Sequence, residues 1–598
     1  MRVRAATLLG AAAVVWAGAY VAVCAAALFG RAAIPETDRA LTAAAALGLA
    51  VVTRPRPADR TAGVALALGA AVGFLAVVAV DGGSGATRLV AGVVGGLVAI
   101  GVWAFVVSRR PQLLDSRFVI AVALALLAAF VVVATARAVI SGGALGHDES
   151  AYAVKARSWV GDAPASGWDL HRAPLLSLLG APLVAIGSAE GPLRVLAVLL
   201  ALGALGAVGL VAHRLGGWWA VPLAVGVVGA SVAYLRRGSE YLTDVPAAGL
   251  LLASCWLVLG LLRDPSVALR RAYWLAPLVA AAFYMRYQSS LAVVAMALGA
   301  LAAWPAEVRR LLPVLWRTAA LTVVLLLPHA IWAMAETGTP WGVVTYTQGK
   351  GGRAYLGEGL GDYAEMFPDD LAGRTGAIAI AVAALGVVLG IVRAIGRRRL
   401  DRDARTAIFV AVVVAVSVVP LGLVAHGEER FVFFPVWLLI ATGAAVVVRF
   451  ASWIGRRGER RWAVAALAAA VLAWLAPAVD TARFVDRNAE SRSRSFQVLV
   501  DASRAIADDG EGTCGVLTTY GPQITWYSSC TTSPVLLTRN DLGVRSVVGD
   551  RRYVLLFEHG KREPTGDDEA QLLALGPVTV VPDAVDAIGD ATIVRIVD

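Results

Sequence analysis

The chain has 598 residues, 58% of them hydrophobic and only 16% charged, with a mean hydropathy of +0.71. A soluble protein carries about 25% charged residues, so a water-soluble globular enzyme is excluded. The formal net charge of +10 does not point to nucleic acid, because the arginines cluster in short loops between apolar runs, as the positive-inside rule requires.

Only three lysines occur (Lys155, Lys350 and Lys561), and with the abundant Ala, Val and Gly this suggests a GC-rich bacterial genome. Repeated apolar runs, each long enough to cross about 30 Å of hydrocarbon, predict an all-α polytopic membrane protein with about fifteen transmembrane helices. The first, Ala5 to Leu28, is too long for a signal-peptide core and lacks a cleavage site, so it reads as a retained helix. The next four are near 38–53, 62–80, 88–107 and 118–140. Then come 191–211, 216–234, 244–262, 272–285 and 288–304, followed by 315–335, 374–393, 406–425, 431–449 and 462–479.

Arginines at 54, 56, 109, 110, 263, 270, 271, 309, 310, 317, 397–399, 456, 457, 460 and 461 mark cytoplasmic loops. All of them share one side if the N-terminus is cytoplasmic and the C-terminus outside. That solution requires the short run Leu175 to Gly187, broken by Gly180 and Pro182, to be a re-entrant or surface-lying helix. The loops 141–174, 235–243, 285–288, 336–373 and 426–430 then all face outward.

From Thr481 the composition turns polar. β-like runs at Gly515–Leu517, Tyr553–Phe557, Val578–Val581 and Thr592–Ile596, with a helical pattern over Ser495–Ile506, predict a small extracytoplasmic α/β domain. Outside the cytoplasm, Cys514 and Cys530 can pair as a disulfide, whereas Cys24 and Cys255 sit in apolar runs as packing residues.

Ionisable residues gather on the outward face. Gly146-His147-Asp148-Glu149-Ser150-Ala151-Tyr152 follows the apolar run ending at Ile140. A helix there puts Asp148, Tyr152, Lys155 and Trp159 on one face and turns Glu149 about 100° away. Asp148 is then the better base, or simply the helix N-cap. Glu149 is a helper, a capping acid or a metal ligand. His171-Arg172 before Pro174 suits a lipid phosphate or a headgroup anchor. Asp244 opens a helix, as a cap or as a site acid. Arg286-Tyr287 forms a basic-aromatic apex, and His426-Gly427-Glu428-Glu429-Arg430 places four ionisable groups in one turn. The glycine-rich loop 336–373, with Lys350 and Arg353, has the length of a lid or binding loop. His147, His171, His329 and His426 permit a divalent metal, but no ligand spacing such as HExxH occurs, and the sequence requires no cofactor. Walker A, GxSxG and CxxC motifs are absent.

This succession (Asp-Glu with Tyr three residues on, Arg-x-Pro-Leu-Leu, Leu-Thr-Asp, Arg-Tyr) resembles the polyprenyl-phosphate-sugar-dependent glycosyltransferases of the GT-C superfamily. Protein O-mannosyltransferases and lipid A aminoarabinose transferases are the nearest in pattern. The turn from His426 to Phe431 is similar to the His-Lys-Glu-x-Arg-Phe signature of lipid-linked mannosyltransferases of the glycosylphosphatidylinositol pathway, with Gly427 in place of lysine. The resemblance covers about 118–450. It implies a GT-C core over 118–480 with outward loops 141–190 and 336–373, four extra N-terminal helices over 1–117, and the domain 481–598. It further implies Asp148 as general base on the acceptor, Glu149 as partner acid, Asp244 as the second loop's acid and Arg172 as the phosphate ligand. His171 stands where the family has an acid.

The expected reaction transfers a sugar (mannose, arabinose or similar) from a polyprenyl-phosphate donor to a glycan, lipid or protein acceptor at the plasma membrane. One base without a nucleophile–acid pair implies inversion. Arg172, Arg286, Arg430 and Lys155 are the candidate counter-charges for the departing phosphate. Tyr152, Tyr287, His426, Glu428 and Glu429 complete the candidate set. A flippase for lipid-linked glycans and a non-catalytic envelope scaffold are the alternatives.

Overall fold

The computed structural model describes residues 143–456 and 481–597, apart from 162–163, 165–171, 188–189, 264–268, 345–354, 398–399, 482–483, 486, 511–513, 534–551, 561–562 and 565. The five predicted helices before residue 143, the one at 462–479, and His171, Lys350 and Arg353 lie outside the described residues. The chain divides into two compact units, 1–132 with 447–480, and 133–446 with 481–598. The second holds every element described below, apart from the last turns of one helix.

Helix α1 (His147–Val160) is followed by α2 (Pro174–Ile186), α3 (Glu190–Gly216), α4 (Ala220–Gly229) and α5 (Val232–Gly238). Then come α6 (Asp244–Arg263), α7 (Leu275–Met285), α8 (Ser289–Ala303), α9 (Pro305–Thr337) and α10 (Glu358–Met366). The set closes with α11 (Gly373–Arg397), α12 (Arg402–Val424) and α13 (Phe433–Arg456). Among the described residues six of these are long and apolar enough to cross a membrane: α3, α6, α9, α11, α12 and α13. The protein is membrane-embedded.

The expected crossing at 216–234 consists of two helices, α4 and α5, bent by 70°, which together are long and apolar enough for a broken span or a re-entrant loop. Ser231 explains the break. Its hydroxyl donates to the Val228 carbonyl at 2.7 Å and accepts from Tyr234 N–H at 3.2 Å, so it ends one helix and caps the next. Helix α2 has Pro174 at its first position and runs only 13 residues. Helix α9 runs 33 residues, well beyond the expected 315–335, until Gly338 stops it at φ +75°.

Small residues set the helix spacing, since lipid tails give no hydrophobic drive between helices. A Cβ on Gly249 of α6 would fall 2.7 Å from Ala204 Cα of α3, and one on Gly299 of α8 would fall 2.9 Å from Val413 Cγ2 of α12. Backbones therefore approach closely in both pairs.

The C-terminal region carries α14 (Gln497–Asp509), α15 (Gly521–Ser528) and α16 (Asp567–Leu573) around a five-stranded sheet. The strands are β1 (Gly515–Leu517), β2 (Thr531–Ser533), β3 (Tyr553–Phe557), β4 (Val578–Val581) and β5 (Ala591–Arg595), ordered β2-β1-β3-β5-β4. β1 is parallel to β2 and β3, and β5 is antiparallel to β3 and β4. β3 is buried on both faces, as its unbroken apolar run demands. Tyr553, Leu555 and Phe557 pack with Val498, Leu499 and Ile506 of α14, while Val554 and Leu556 meet Leu572 on the opposite side.

Cys514 and Cys530 form a disulfide that joins the starts of β1 and β2 across α15, a sequence separation of 16. Closing a loop of that length removes about 3 kcal/mol of unfolded-chain entropy. Replacing both cysteines by alanine is expected to lower the stability of this domain by about 3 kcal/mol. Denaturant unfolding followed through Trp526 checks it.

Candidate active site

Helix α1 begins without a side-chain cap, because Gly146 has none to offer. Glu149 supplies what is missing. Its carboxylate accepts from Gly146 N–H at 2.8 Å and from Tyr241 N–H at 2.9 Å, and faces the Arg194 guanidinium at 3.4 Å. Both side chains are 2% exposed. Of its three expected roles Glu149 therefore takes the capping one, and Asp148 is not the N-cap.

One residue earlier and about 100° around the helix, Asp148 points the other way. One carboxylate oxygen accepts from Arg172 Nη2 at 2.5 Å and the other from Arg430 Nη1 at 2.7 Å. Burial pushes the Asp148 carboxyl up, but Arg172 and Arg430 outweigh it and hold the group well below the usual carboxylate range. Burial likewise opposes, and the carboxylates of Asp148 and Glu428 overcome, so Arg430 holds its proton more tightly than a free guanidinium.

The remaining candidates sort by what they touch. Tyr152 Oη meets Thr243 Oγ1 at 3.2 Å, and the Arg172 guanidinium lies over its ring at 5.4 Å. Lys155 is buried and donates to the Arg172 carbonyl at 2.7 Å, so it steadies that residue's backbone. Asp244 is buried at the start of α6 and ion-paired with Arg286, whose guanidinium also lies over Phe431 at 4.9 Å. Burial, with Arg430 nearby, brings Arg286 down to about 10. In the turn before α13, Glu428 is ion-paired with Arg430 and accepts from His426 Nε2 at 3.0 Å. Glu429 turns away and accepts from Arg237 Nε at 2.9 Å. Tyr287 packs among Phe283 and His329, with ring centroids 5.2 and 5.1 Å away. His147 meets Gln523 of α15.

Asp148, Arg172, Asp244, Arg286, Glu428 and Arg430 thus form one cluster of three carboxylates and three guanidiniums. Beside it lies a small open pocket of about 40 Å³. Asp244, Arg286 and Arg430 line its polar end, and Leu251, Leu291 and Leu421 line the rest. Sequence reasoning missed the supporting residues Arg194, Arg237, Glu240 and Arg492. Glu240 pairs with Arg237 at 2.8 Å and with Arg492. Arg237 and Glu240 are legible as an i,i+3 pair, but nothing local connects either to residue 492.

No protein-family model and no curated protein sequence matches the chain. The fold is similar to that of solved membrane-embedded transferases. ArnT from Cupriavidus metallidurans, a lipid A aminoarabinose transferase, aligns at 14% identity with a TM-score of 0.54, over 79% of this chain and 98% of that one. The same values hold for its complex with undecaprenyl phosphate. The Archaeoglobus fulgidus oligosaccharyltransferase tethered to an acceptor peptide aligns at 14% identity and TM-score 0.50, over 72% of this chain and 69% of that one. Against that archaeal enzyme in complex with zinc and sulfate, the chain spans 62% of its length.

Glu149→Ala should destabilise the protein by about 3 kcal/mol, since it strips a buried guanidinium of its carboxylate and α1 of its cap. Thermal unfolding of the purified chain is the measurement. Asp148→Asn, at a partly exposed position and with the side-chain shape kept, should cost less than Glu149→Ala.

Proposed function

We propose that the protein is a membrane glycosyltransferase that moves a sugar, mannose, arabinose or similar, from polyprenyl phosphate to an extracytoplasmic acceptor. The observation that carries this reading is the Arg172–Asp148–Arg430 clamp, whose Arg430 also lines, with Arg286 and Asp244, a pocket of mostly apolar side chains. A lipid-linked sugar phosphate has that same polarity, an anionic head on a hydrocarbon tail. The undecaprenyl phosphate bound by the structurally similar ArnT supports the choice of donor.

The geometry implies a sequence of charge transfers. A donor phosphate arriving at Arg430 and Arg286 competes with Asp148 and Asp244 for their guanidiniums. Asp148 loses part of its clamp, and its basicity rises toward that of an ordinary carboxylate. It then takes the proton of the acceptor hydroxyl as that oxygen bonds to the anomeric carbon. The bond from the anomeric carbon to the phosphate oxygen breaks, and the electron pair leaves with the polyprenyl phosphate. The arginines neutralise the added negative charge. A single displacement inverts the anomeric centre.

Asp148→Asn should reduce transfer by about 10²–10⁴-fold, the range for loss of a general base. Following labelled sugar from a synthetic polyprenyl-phosphate donor into envelope acceptors measures this, and near-normal turnover would sink the assignment. A flippase would still translocate donor in that variant.

The pH dependence has a definite sign. Arg430 holds the free enzyme's Asp148 below its ordinary pKa, so removing it raises that pKa. In Arg430→Gln the acid limb of kcat/KM should therefore move to higher pH, because the base is protonated sooner as pH falls. A limb that stays in place would show that another group is the base.

A further inference from the structure

We infer that helix α15 of the C-terminal domain is a positioning element for Asp148, acting through Gln523 and Arg157. The inference rests on the reading of Asp148 as the base, and it gives the domain a role in that reaction.

Two helices cap one another. The first N–H groups of α1 have no partner within the helix. The side chain of Gln523 reaches in from α15 to meet this need. With the amide turned so that its oxygen meets the donor, Gln523 accepts from His147 N–H at 3.1 Å and donates to His147 Nδ1 at 3.3 Å and to the Tyr520 carbonyl at 3.2 Å. Tyr527 Oη accepts from Leu145 N–H at 2.7 Å, just ahead of the helix. At the other end the debt runs in reverse. Near the end of α15, Arg157 of α1 donates to the carbonyl of Trp526, at 2.8 Å, and to that of Thr525, which also accepts from Ser529 N–H at 3.1 Å. Its guanidinium also stacks over the Trp526 ring at 4.9 Å.

The contact has an apolar part as well as a polar one. Gln523 is 1% exposed, and Trp526 packs in one cluster with Tyr152, Ala153 and Ala156 of α1. His147 directly precedes Asp148, so the bond to Gln523 lies one residue from the carboxylate. The Cys514–Cys530 disulfide spans α15 and ties both its flanks to the sheet. The frame that orients the base is therefore a helix about 370 residues later in the sequence, held to a covalently closed loop.

A shift of the base by about 1 Å is enough to cost up to a hundredfold in rate. Gln523→Leu keeps the bulk and removes the amide, and Arg157→Met breaks the opposite end of the contact. Both are made in the full chain, in nanodiscs. Hydrogen exchange over 145–160 and over β3 is read beside kcat and donor KM. We expect each variant to speed exchange in α1, leave β3 protected, and lower kcat about tenfold or more with donor KM within about twofold. Unchanged exchange in α1, or faster exchange with kcat unchanged, overturns the inference. Loss of protection in β3 together with α1 marks a purely structural role and also overturns it. If the wild-type chain transfers no sugar, the functional reading falls, and the exchange data alone then decide whether α15 holds α1.

Discussion

The carboxylate of Asp148 is held between two guanidiniums, Arg172 and Arg430, that arrive from far apart in the chain. This clamp brings together the start of α1, the segment just before α2 and the turn before α13. Each partner has its own support. Lys155 anchors the Arg172 backbone, Glu428 takes the Nε of Arg430, and Glu149 fixes the start of α1 against Arg194 and Tyr241. Removing charges from water at a membrane surface costs several kcal/mol per ion unless each is paired and hydrogen-bonded. The folded chain meets that requirement with a connected set of pairs in place of isolated ones.

Balance within the set has a chemical consequence. Asp148, Asp244 and Glu428 offset Arg172, Arg286 and Arg430, so the resting cluster carries no large unpaired charge. An anionic headgroup disturbs that balance on arrival, and the carboxylates it displaces gain basicity. On the proposed reading, donor binding and base activation are the same electrostatic event. A carboxylate clamped between two guanidiniums is a poor base until one of them is engaged elsewhere.

Much of this was legible in the sequence, and what was not has a physical reason. Apolar length located α3, α6, α9, α11, α12 and α13, because hydrocarbon thickness imposes it directly. Helical periodicity separated Asp148 from its neighbour Glu149, since adjacent residues point about 100° apart. The runs at 515–517, 553–557 and 578–581 coincide with β1, β3 and β4 because valine and leucine runs favour strands, although only β3 is buried throughout and β4 is largely exposed. By contrast, β2 is Thr531–Ser533, three polar residues with no periodic signal. The bend at Ser231 depends on one hydroxyl overriding an apolar run. Long-range pairs left no trace at all. Arg492 reaches Glu240 from 252 positions away, and only the folded backbone relates them.

The two acids of the opening motif show why a motif and its environment must be read together. Glu149 and Asp148 have the same chemistry and adjacent positions, yet one is 2% exposed and spent on backbone N–H groups while the other faces the pocket's guanidiniums. A helix that starts at glycine needs a capping acid at its third position, and Glu149 occupies it. With that need met, Asp148 is released from any structural duty on its own helix. The same division recurs in the turn before α13, where Glu429 joins the Arg237 network and Glu428 holds Arg430. In both places one acid of a pair stabilises the scaffold, and the carboxylate beside it is left for the arginines of the pocket.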